Sequence, residues 1–540
     1  MTVLNSNNIV NNILPENDYG NIEYKLKLTN ISNDRSEELI TQMKFRLNEG
    51  NGEAIYQIGI LDNGTMTGIN ETDMLESIDN LIKIANKCQA GTTIISKNKI
   101  KDSYITEILV REINYLGHYI DIKIAVAGNV DAGKSTLIGV LTGGKLDNGR
   151  GMSRLNVFNH KHEIDSGRTS SIGHQITGYD VNGNIVNKNN IKMLSWPEII
   201  KSSSKVISFY DLAGHEKYLR TTIGGFSSIH PDYSFILIGA NMGITHITKE
   251  HLYLSLYYNI PFIIIITKID IAPENVLLET MNKIKKILKL SGIRKIPYSI
   301  KNNEDIINAS KNMKSNNIVP IFQISNVSGT GISHLEQFIN LLPSRVIYKK
   351  EEKDLVEFTI DDTFQVSGCG TIVCGLLLSG KIKINDHLLI GPDYGDDSFK
   401  PIQVRSIHFK RLPIESIDAG HYICLCLKKF PRKNINKGMV IVSSKSQTQI
   451  YRKFKANIHI LKSHHTTIRK NYQPVLHINH IRQSAQIIDI HQDTDILRTG
   501  DKALVTFRFM FRPVYIKLGY RLVFREGKIR GIGEVVELIN

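Results

Sequence analysis

Little in this sequence points to the outside of a cell or to a membrane. Five cysteines in 540 residues (Cys88, Cys369, Cys374, Cys424, Cys426) are too few for a disulfide framework and lack zinc-knuckle spacing. Cys424 and Cys426 alternate along a predicted strand, so the thiols read as small core residues in a reducing compartment. The longest apolar run, FIIIIT from Phe262, is far short of the roughly 18 residues a membrane helix needs. Near Met1 no charged start leads into an apolar stretch and a small-residue cleavage site, so export is not expected. Acidic residues are outnumbered, and unevenly. Residues 451–540 hold 16 Lys and Arg against 7 Asp and Glu, whereas residues 1–120 hold 11 against 16. Most of the net charge of +15 therefore sits at the C-terminal end. A basic terminal region suggests a polyanionic partner, RNA first, or simply a solvated basic face; charge alone does not separate the two.

The length exceeds what one hydrophobic core supports. Residues 1–19 are polar and Asn-rich, a flexible start. Residues 20–120 mix strand alternation (EYKLKL, TTIISK, YITEILVREI) with helical spacing (SEELITQMKFRLN, TDMLESIDNLIKIANK), which predicts an α+β module. Within it AIYQIGILDNGTMTGI reads as a hairpin with Asn-Gly at its tip. Over residues 121–345 the strands IKIAVAG, VISFYDL, SFILIGA, FIIIITK and PIFQIS alternate with helices, the pattern of a mainly parallel sheet covered on both faces. A charged linker, YKKEEKD at 348–354, leads to Gly-punctuated all-β sequence. That predicts two small β-barrels, over 354–444 and 450–540.

The α/β region opens with GNVDAGKST, residues 128–136. Gly128, Gly133, Lys134 and Ser135 fit G-x-x-x-x-G-K-[ST] between a strand and an amphipathic helix. The glycines let the N–H groups across Asn129, Val130, Asp131 and Ala132 curve around phosphate oxygens, and the helix N-terminus at Thr136 adds a favourable field. Lys134 is placed to bridge the two outer phosphates and the Ser135 hydroxyl to ligate Mg²⁺. Base identity comes from TKID, residues 267–270. Asp270 can accept from the ring N–H and exocyclic amine of guanine, and adenine would leave that buried carboxylate unpaired. Lys268 can lay its stem along the base, with Thr267 and Ile269 as flanks. Ser325, Asn326 and Val327, after the strand PIFQI, form a turn whose N–H groups can meet the guanine carbonyl. In YDLAGHEKYL, Asp211 can hold the metal through water. Past Leu212 and Ala213, Gly214 can bring an N–H to the terminal phosphate and His215 can orient an attacking water. Thr169, in HKHEIDSGRTSSIG, is the candidate second hydroxyl on Mg²⁺. His160 and His162 lack the further ligands zinc would require.

GNVDAGKST, SGRTSS, DLAGHEKYL and TKID, in this order and ahead of two barrels, resemble translational GTPases of the elongation factor Tu class. GKLDNGRGMSR, PIFQISNVSG, LRTGDKA and YRLVFREGK are similar to its eukaryotic GTP-binding protein one and two branch. The resemblance runs from about Gly20 to the C-terminus. It implies a Mg²⁺-dependent GTPase of the cytoplasm, cycling between GTP and GDP and engaging aminoacyl-tRNA or the ribosome through its barrels. Neither membrane nor DNA is an expected partner, other RNA is an alternative one, and a monomer is expected. The resemblance makes Thr169 the switch threonine that senses the terminal phosphate and gives Asp131 a part in binding a monovalent cation. Two positions depart from the elongation factor Tu pattern: Thr267 replaces an Asn and Ala213 a Pro.

The expected reaction is in-line attack of water on the terminal phosphoryl group. No arginine finger is identified; Arg168, beside Thr169, reads as a solvated switch residue, so slow intrinsic turnover accelerated by a partner is expected. Residues 172–205 form an extra segment, with GYDVNGNIVN as a hairpin and SWPEII starting a short helix. In FRFMFRP, Phe507, Phe509 and Phe511 share one strand face opposite Arg508 and Arg512, a core pattern more than an RNA platform. A GTP-controlled scaffold in RNA turnover would keep the same catalytic residues; a GTPase subunit of a sulfate-activating enzyme shares the architecture, but the acidic module at residues 20–120 and the basic C-terminus argue against it.

Overall fold

The computed structural model describes residues 15–539 apart from 101, 114–118, 159, 167–168, 188–191, 291–292, 346–354, 367, 369, 447, 462–466, 493–494 and 527. Arg168, Cys369 and the charged linker lie outside the described residues.

The first unit comprises β1 (Ile22–Lys25), α1 (Asn33–Glu49), β2 (Glu53–Ile58), α2 (Glu71–Lys87), β3 (Ala90–Ile100) and β4 (Ser103–Glu112). Both helices begin at side-chain caps, Ser32 and Asn70, which accept the N–H groups of Arg35 and Asp73. The sheet order is β1-β2-β4-β3, with β1 and β2 parallel. The predicted hairpin after β2 is reduced to one bridge, Ile60 to Met66, around the Asn63-Gly64 turn. Both edges of β2 are already taken by β1 and β4.

The α/β unit follows as β5 (Ile120–Gly128), α3 (Lys134–Gly143), α4 (Lys161–Ser166), β6 (Gly173–Tyr179), α5 (Trp196–Ser202), β7 (Lys205–Asp211) and α6 (Leu219–Ile229). It continues through β8 (Tyr233–Gly239), α7 (His246–Tyr257), β9 (Phe262–Thr267), α8 (Glu274–Leu288), β10 (Ile296–Ser299), α9 (Asn303–Asn312), β11 (Ile318–Gln323) and α10 (Ile332–Leu341). The sheet order is β10-β11-β9-β8-β5-β7-β6, parallel except for β6 at its edge. One face packs on α3, α9 and α10, the other on α6, α7 and α8. GYDVNGNIVN contributes only the Tyr179–Ile185 bridge as a hairpin, because β6 pairs along its length with β7. The phosphate and base motifs all follow the carboxyl ends of β5, β7, β9 and β11, the end at which open α/β sheets bind ligands.

Two all-β units follow. In the first, the strands His387–Gly391 and Lys400–Phe409 pair and close a ring through Val440–Ser443, Glu357–Val366, Gly370–Ser379 and Tyr422–Leu427. The second is a closed six-stranded barrel running from Lys453–Ile460 to Lys528–Ile539. Phe507 and Phe509 are buried inside it, but Phe511 is 74% exposed. The strand ends at Phe509 and the chain bends before Phe511, which breaks the predicted shared face. Of the described thiols, Cys374 and Cys426 are buried and Cys88 and Cys424 half-buried. Among the described residues no helix is long and apolar enough to cross a membrane.

Buried charges join the units. Glu53 of β2 accepts from Arg111 Nε at 2.8 Å and Lys205 Nζ at 3.0 Å, and Lys205 also donates to the carbonyls of Asn340 and Leu342. Asp121 of β5 meets Lys410 of the first barrel at 2.6 Å. Glu357 of the first barrel meets Lys517 and Tyr520 of the second. Val523 and Ile529 of the second barrel complete the core that covers α6 and α7.

Candidate nucleotide site

Gly128 ends β5 with φ of 148°, and a Cβ there would stand 2.5 Å from the Leu237 carbonyl oxygen, so the neighbouring strand admits only glycine. Asp131 (φ 60°) and Gly133 (φ 80°) continue the tight curve, and α3 starts at Lys134. The Lys134 ammonium is buried in the loop and donates to the Asn129 carbonyl at 2.9 Å. Burial lowers its pKa, against the pull of Asp211 and Asp131. Thr267, the residue standing in place of Asn, is fully buried and donates its hydroxyl to the Ala132 carbonyl at 2.8 Å, tying β9 to the phosphate loop.

Ser135, Thr169 and Asp211 come together although they are far apart in sequence. Ser135 Oγ and Thr169 Oγ1 donate to Asp211 Oδ2 at 2.6 and 3.0 Å, and the two hydroxyls are 3.0 Å apart. Asp211 is buried, its Oδ1 has no hydrogen-bond partner, and burial raises its carboxyl pKa. Three hard oxygens beside an orphaned carboxylate oxygen form a donor set that suits Mg²⁺.

Gly214 lies against the phosphate loop. A Cβ there would stand 2.7 Å from the Gly128 carbonyl oxygen and 2.8 Å from the Asn129 carbonyl carbon. Leu212 and Ala213 anchor this approach, through Leu212 N–H to the Val126 carbonyl and the Thr222 hydroxyl to the Ala213 carbonyl. His215 is half-buried at the cleft, and its Nδ1 accepts the Lys217 N–H at 3.1 Å. In a neutral ring that acceptor role puts the proton on Nε2. The cleft is lined by Val130, Asp131, Gly133, Lys134, Ser135, Thr136, Arg154, Thr169, Gly214 and His215.

The base end differs in two details from the sequence reading. Asp270 stands exposed, not buried, because the chain leaves β9 through Lys268 in left-handed backbone (φ 60°) and a turn. The Val327 and Ser328 N–H groups are taken by Ser325 Oγ at 3.2 and 3.0 Å, so Val327 offers no donor to a base carbonyl. Asn326 is buried close to Gly133, and Ile269 reaches the Ile324 carbonyl.

Residues 121–344 match the family model of the elongation factor Tu GTP binding domain, and residues 447–539 that of the elongation factor Tu C-terminal domain. GTP-binding protein 1 of Xenopus laevis is 44% identical over 518 residues, covering 96% of this chain and 78% of that protein. The chain belongs to this family of GTPases. GTP-binding protein 2 of Homo sapiens, 44% identical over 533 residues (97% of this chain, 88% of that protein), supports the same branch. The fold is shared with translation elongation factor SelB from Methanococcus maripaludis in complex with the GTP analogue GppNHp. That likeness has a TM-score of 0.55 and 21% identity over 78% of this chain and 80% of that one. A member of this elongation-factor-like family binds GTP with Mg²⁺ and hydrolyses it.

Three residues that build the site escaped the sequence reading. His251, buried on α7, accepts the Gly128 N–H on Nδ1 at 3.0 Å, and burial pushes its pKa down to about 3, so it stays a neutral acceptor. Glu163, buried, accepts from the N–H and hydroxyl groups of both Ser170 and Ser171 and so fixes the segment after Thr169. Asp147 gathers the N–H groups of Gly149, Gly151 and Ser153. The Glu163 contact had a local signal, an acid seven residues before a Ser-Ser pair; His251 had none.

Proposed function

We propose that this GTPase is an elongation-factor-like switch that engages aminoacyl-tRNA or the ribosome in the cytoplasm, as a monomer, while GTP is bound. The single observation that carries the reading is the meeting of Ser135, Thr169 and Asp211. It supports a cradle shared by the segments that carry Thr169 and Asp211.

In this reading Lys134 and the amides of the loop between Asn129 and Thr136 hold the outer phosphates, while the Gly128 N–H stays on His251. Ser135 and Thr169 would ligate Mg²⁺, with Asp211 behind them, and the bound ion would neutralise charge on the phosphates. Gly214 directs its N–H at the terminal phosphoryl group. His215, with its proton on Nε2, donates to the oxygen of the attacking water and so orients it without abstracting a proton. Asp270 and Asn326 read guanine, with the base itself covering the exposed carboxylate, and Lys268 lines its face. Asp131 contributes to a monovalent cation site. Loss of the terminal phosphoryl group frees Thr169 and Gly214.

Support for an RNA partner comes from the first barrel. An open groove there is lined by Arg405, Lys428, Lys429, Arg432 and Lys433 around Phe430. The elongation-factor character of the SelB neighbour points the same way. The test is filter binding of charged and uncharged tRNA in the presence of a GTP analogue or GDP. Charged tRNA is expected to bind in the GTP-analogue state, with its ester protected and its affinity falling steeply with salt. Equal binding of both tRNAs in both nucleotide states would favour the RNA-turnover scaffold and refute this reading.

A further inference from the structure

We propose that Arg154 is an arginine finger supplied in cis, a guanidinium that stabilises the terminal phosphoryl group of GTP during transfer; the inference rests on the GTP site described above. Arg154 lines the same cleft as Lys134, Thr169, Gly214 and His215. Among the described residues no carboxylate neutralises it. Its guanidinium lies 5.9 Å from the centroid of the Phe158 ring and makes no ion pair. A cleft that already holds a buried lysine thus carries a second, unneutralised cation, an arrangement unfavourable to the empty protein and favourable to a polyanion.

The element that presents Arg154 is firmly built. It is a single 3-10 turn, Ser153–Asn156, and the Asp147 carboxylate fixes its entry by accepting from Gly149, Gly151 and Ser153 at 2.9, 3.0 and 2.9 Å. Gly139 of α3 lets the turn dock, since a Cβ there would collide with the Ser153 carbonyl. Gly151, at φ 81°, lies under the guanidinium, where a Cβ would stand 2.6 Å from Arg154 Nε. The Asp147 N–H donates to the Asn326 carbonyl at 2.8 Å, so the same loop is tied to the base-recognition turn.

The chemistry suits a guanidinium. The water oxygen forms a bond to the terminal phosphorus, the bond to the bridging oxygen breaks with its electron pair leaving on GDP, and the water proton ends on inorganic phosphate. Negative charge spreads over the terminal and bridging oxygens, and a planar fork of N–H donors meets two of them at once, which an ammonium cannot.

The experiment uses the full chain without RNA and compares wild type, Arg154→Ala, Arg154→Lys and Gly139→Ala. Affinities for GDP and a non-hydrolysable GTP analogue, single-turnover hydrolysis, and capture of aluminium fluoride with GDP are measured. Arg154→Ala is expected to slow hydrolysis by about 10³-fold or more and to lose aluminium fluoride capture, while GDP affinity stays within about twofold. Arg154→Lys recovers little of the rate, guanidinium ion in solution restores part of it to Arg154→Ala alone, and Gly139→Ala slows hydrolysis in the same direction. Hydrolysis by Arg154→Ala within about threefold of wild type overturns the assignment, as does a loss of GDP affinity matching the loss of rate. Wild type that binds neither GDP nor the analogue defeats the nucleotide site itself, a result distinct from failure of Arg154 alone.

Discussion

Replacing Gly214 by alanine tests whether this segment reads the terminal phosphate. The added methyl carbon would sit 2.7 Å from the Gly128 carbonyl oxygen and 2.8 Å from the Asn129 carbonyl carbon, and would also strike the Lys134 ammonium. The ammonium can swing aside. The two backbone atoms cannot, because Gly128 is pinned by Leu237 and by the His251 hydrogen bond. Gly214 must therefore withdraw from the cradle by roughly half an ångström or more to restore ordinary contact. A backbone donor displaced from a developing oxyanion loses much of its effect, and deleting one outright costs about 10²–10³ in rate, or ~3–4 kcal/mol. Single-turnover hydrolysis by Gly214→Ala should fall toward that range while GDP titration stays near wild type, since the contacts of Thr267, Lys268 and Asn326 are untouched. Hydrolysis within about threefold of wild type would show that Gly214 makes no transition-state contact.

Three further outcomes follow from the unit boundaries. Glu53→Gln leaves Arg111 and Lys205, both fully buried, without their carboxylate. It should destabilise the chain by about 3–5 kcal/mol, seen as faster hydrogen exchange across β2 and β4; unchanged exchange would refute the role of the cluster. Burial pushes Lys205 down to about 8, from 10.5, despite Glu53. The folded chain sheds this proton before the unfolded chain does, so the contribution of Lys205 makes stability rise between about pH 8 and 10.5, which denaturant midpoints across that window would register. The only tryptophan, Trp196, lies under Arg411 of the first barrel at 4.5 Å and edge-on to His174 at 4.8 Å. Its fluorescence should change when a GTP analogue is exchanged for GDP; an indifferent signal would mean that the first barrel stays docked on α5 in both states.

Contacts made within one stretch of chain were legible in the sequence; those made across the sheet were not. The loop from Gly128 to Thr136 is a local bend between β5 and α3, so its spacing alone gives its shape. The alternation of strands and helices likewise shows in the period of the apolar residues. By contrast, His251 reaches Gly128 because α7 crosses the sheet, and its own neighbours carry no trace of that contact. The Asn-Gly turn at residues 63–64 was legible as a turn, but the strand pairing around it was decided by β1 and β4 competing for the same edges. Phe511 continued an alternating pattern past the point where the strand itself stops. Arg154 had the right chemistry, but only the docking of its turn on Gly139 brings it to the cleft.

In the proposed switch, the route by which the nucleotide state would reach the barrels is α6. It begins five residues after Gly214, and Leu219, Ile223 and Phe226 share a core with Val523 and Ile529 of the second barrel. The same helix packs on the Gly370–Ser379 strand of the first barrel, so a withdrawal of Gly214 acts on both barrels through one rigid element. The first barrel cannot follow by degrees. Lys410 and Asp121 are buried against each other, with Asp121 held far below the usual carboxylate range by Lys410 and His421 despite burial. Separating them part-way would leave two unpaired charges without water, costing several kcal/mol, whereas full separation hydrates both. In the proposed switch, such an interface would favour two states, docked and open, over anything between. It would then be the bistable element on which a lost phosphoryl group acts through Gly214 and α6.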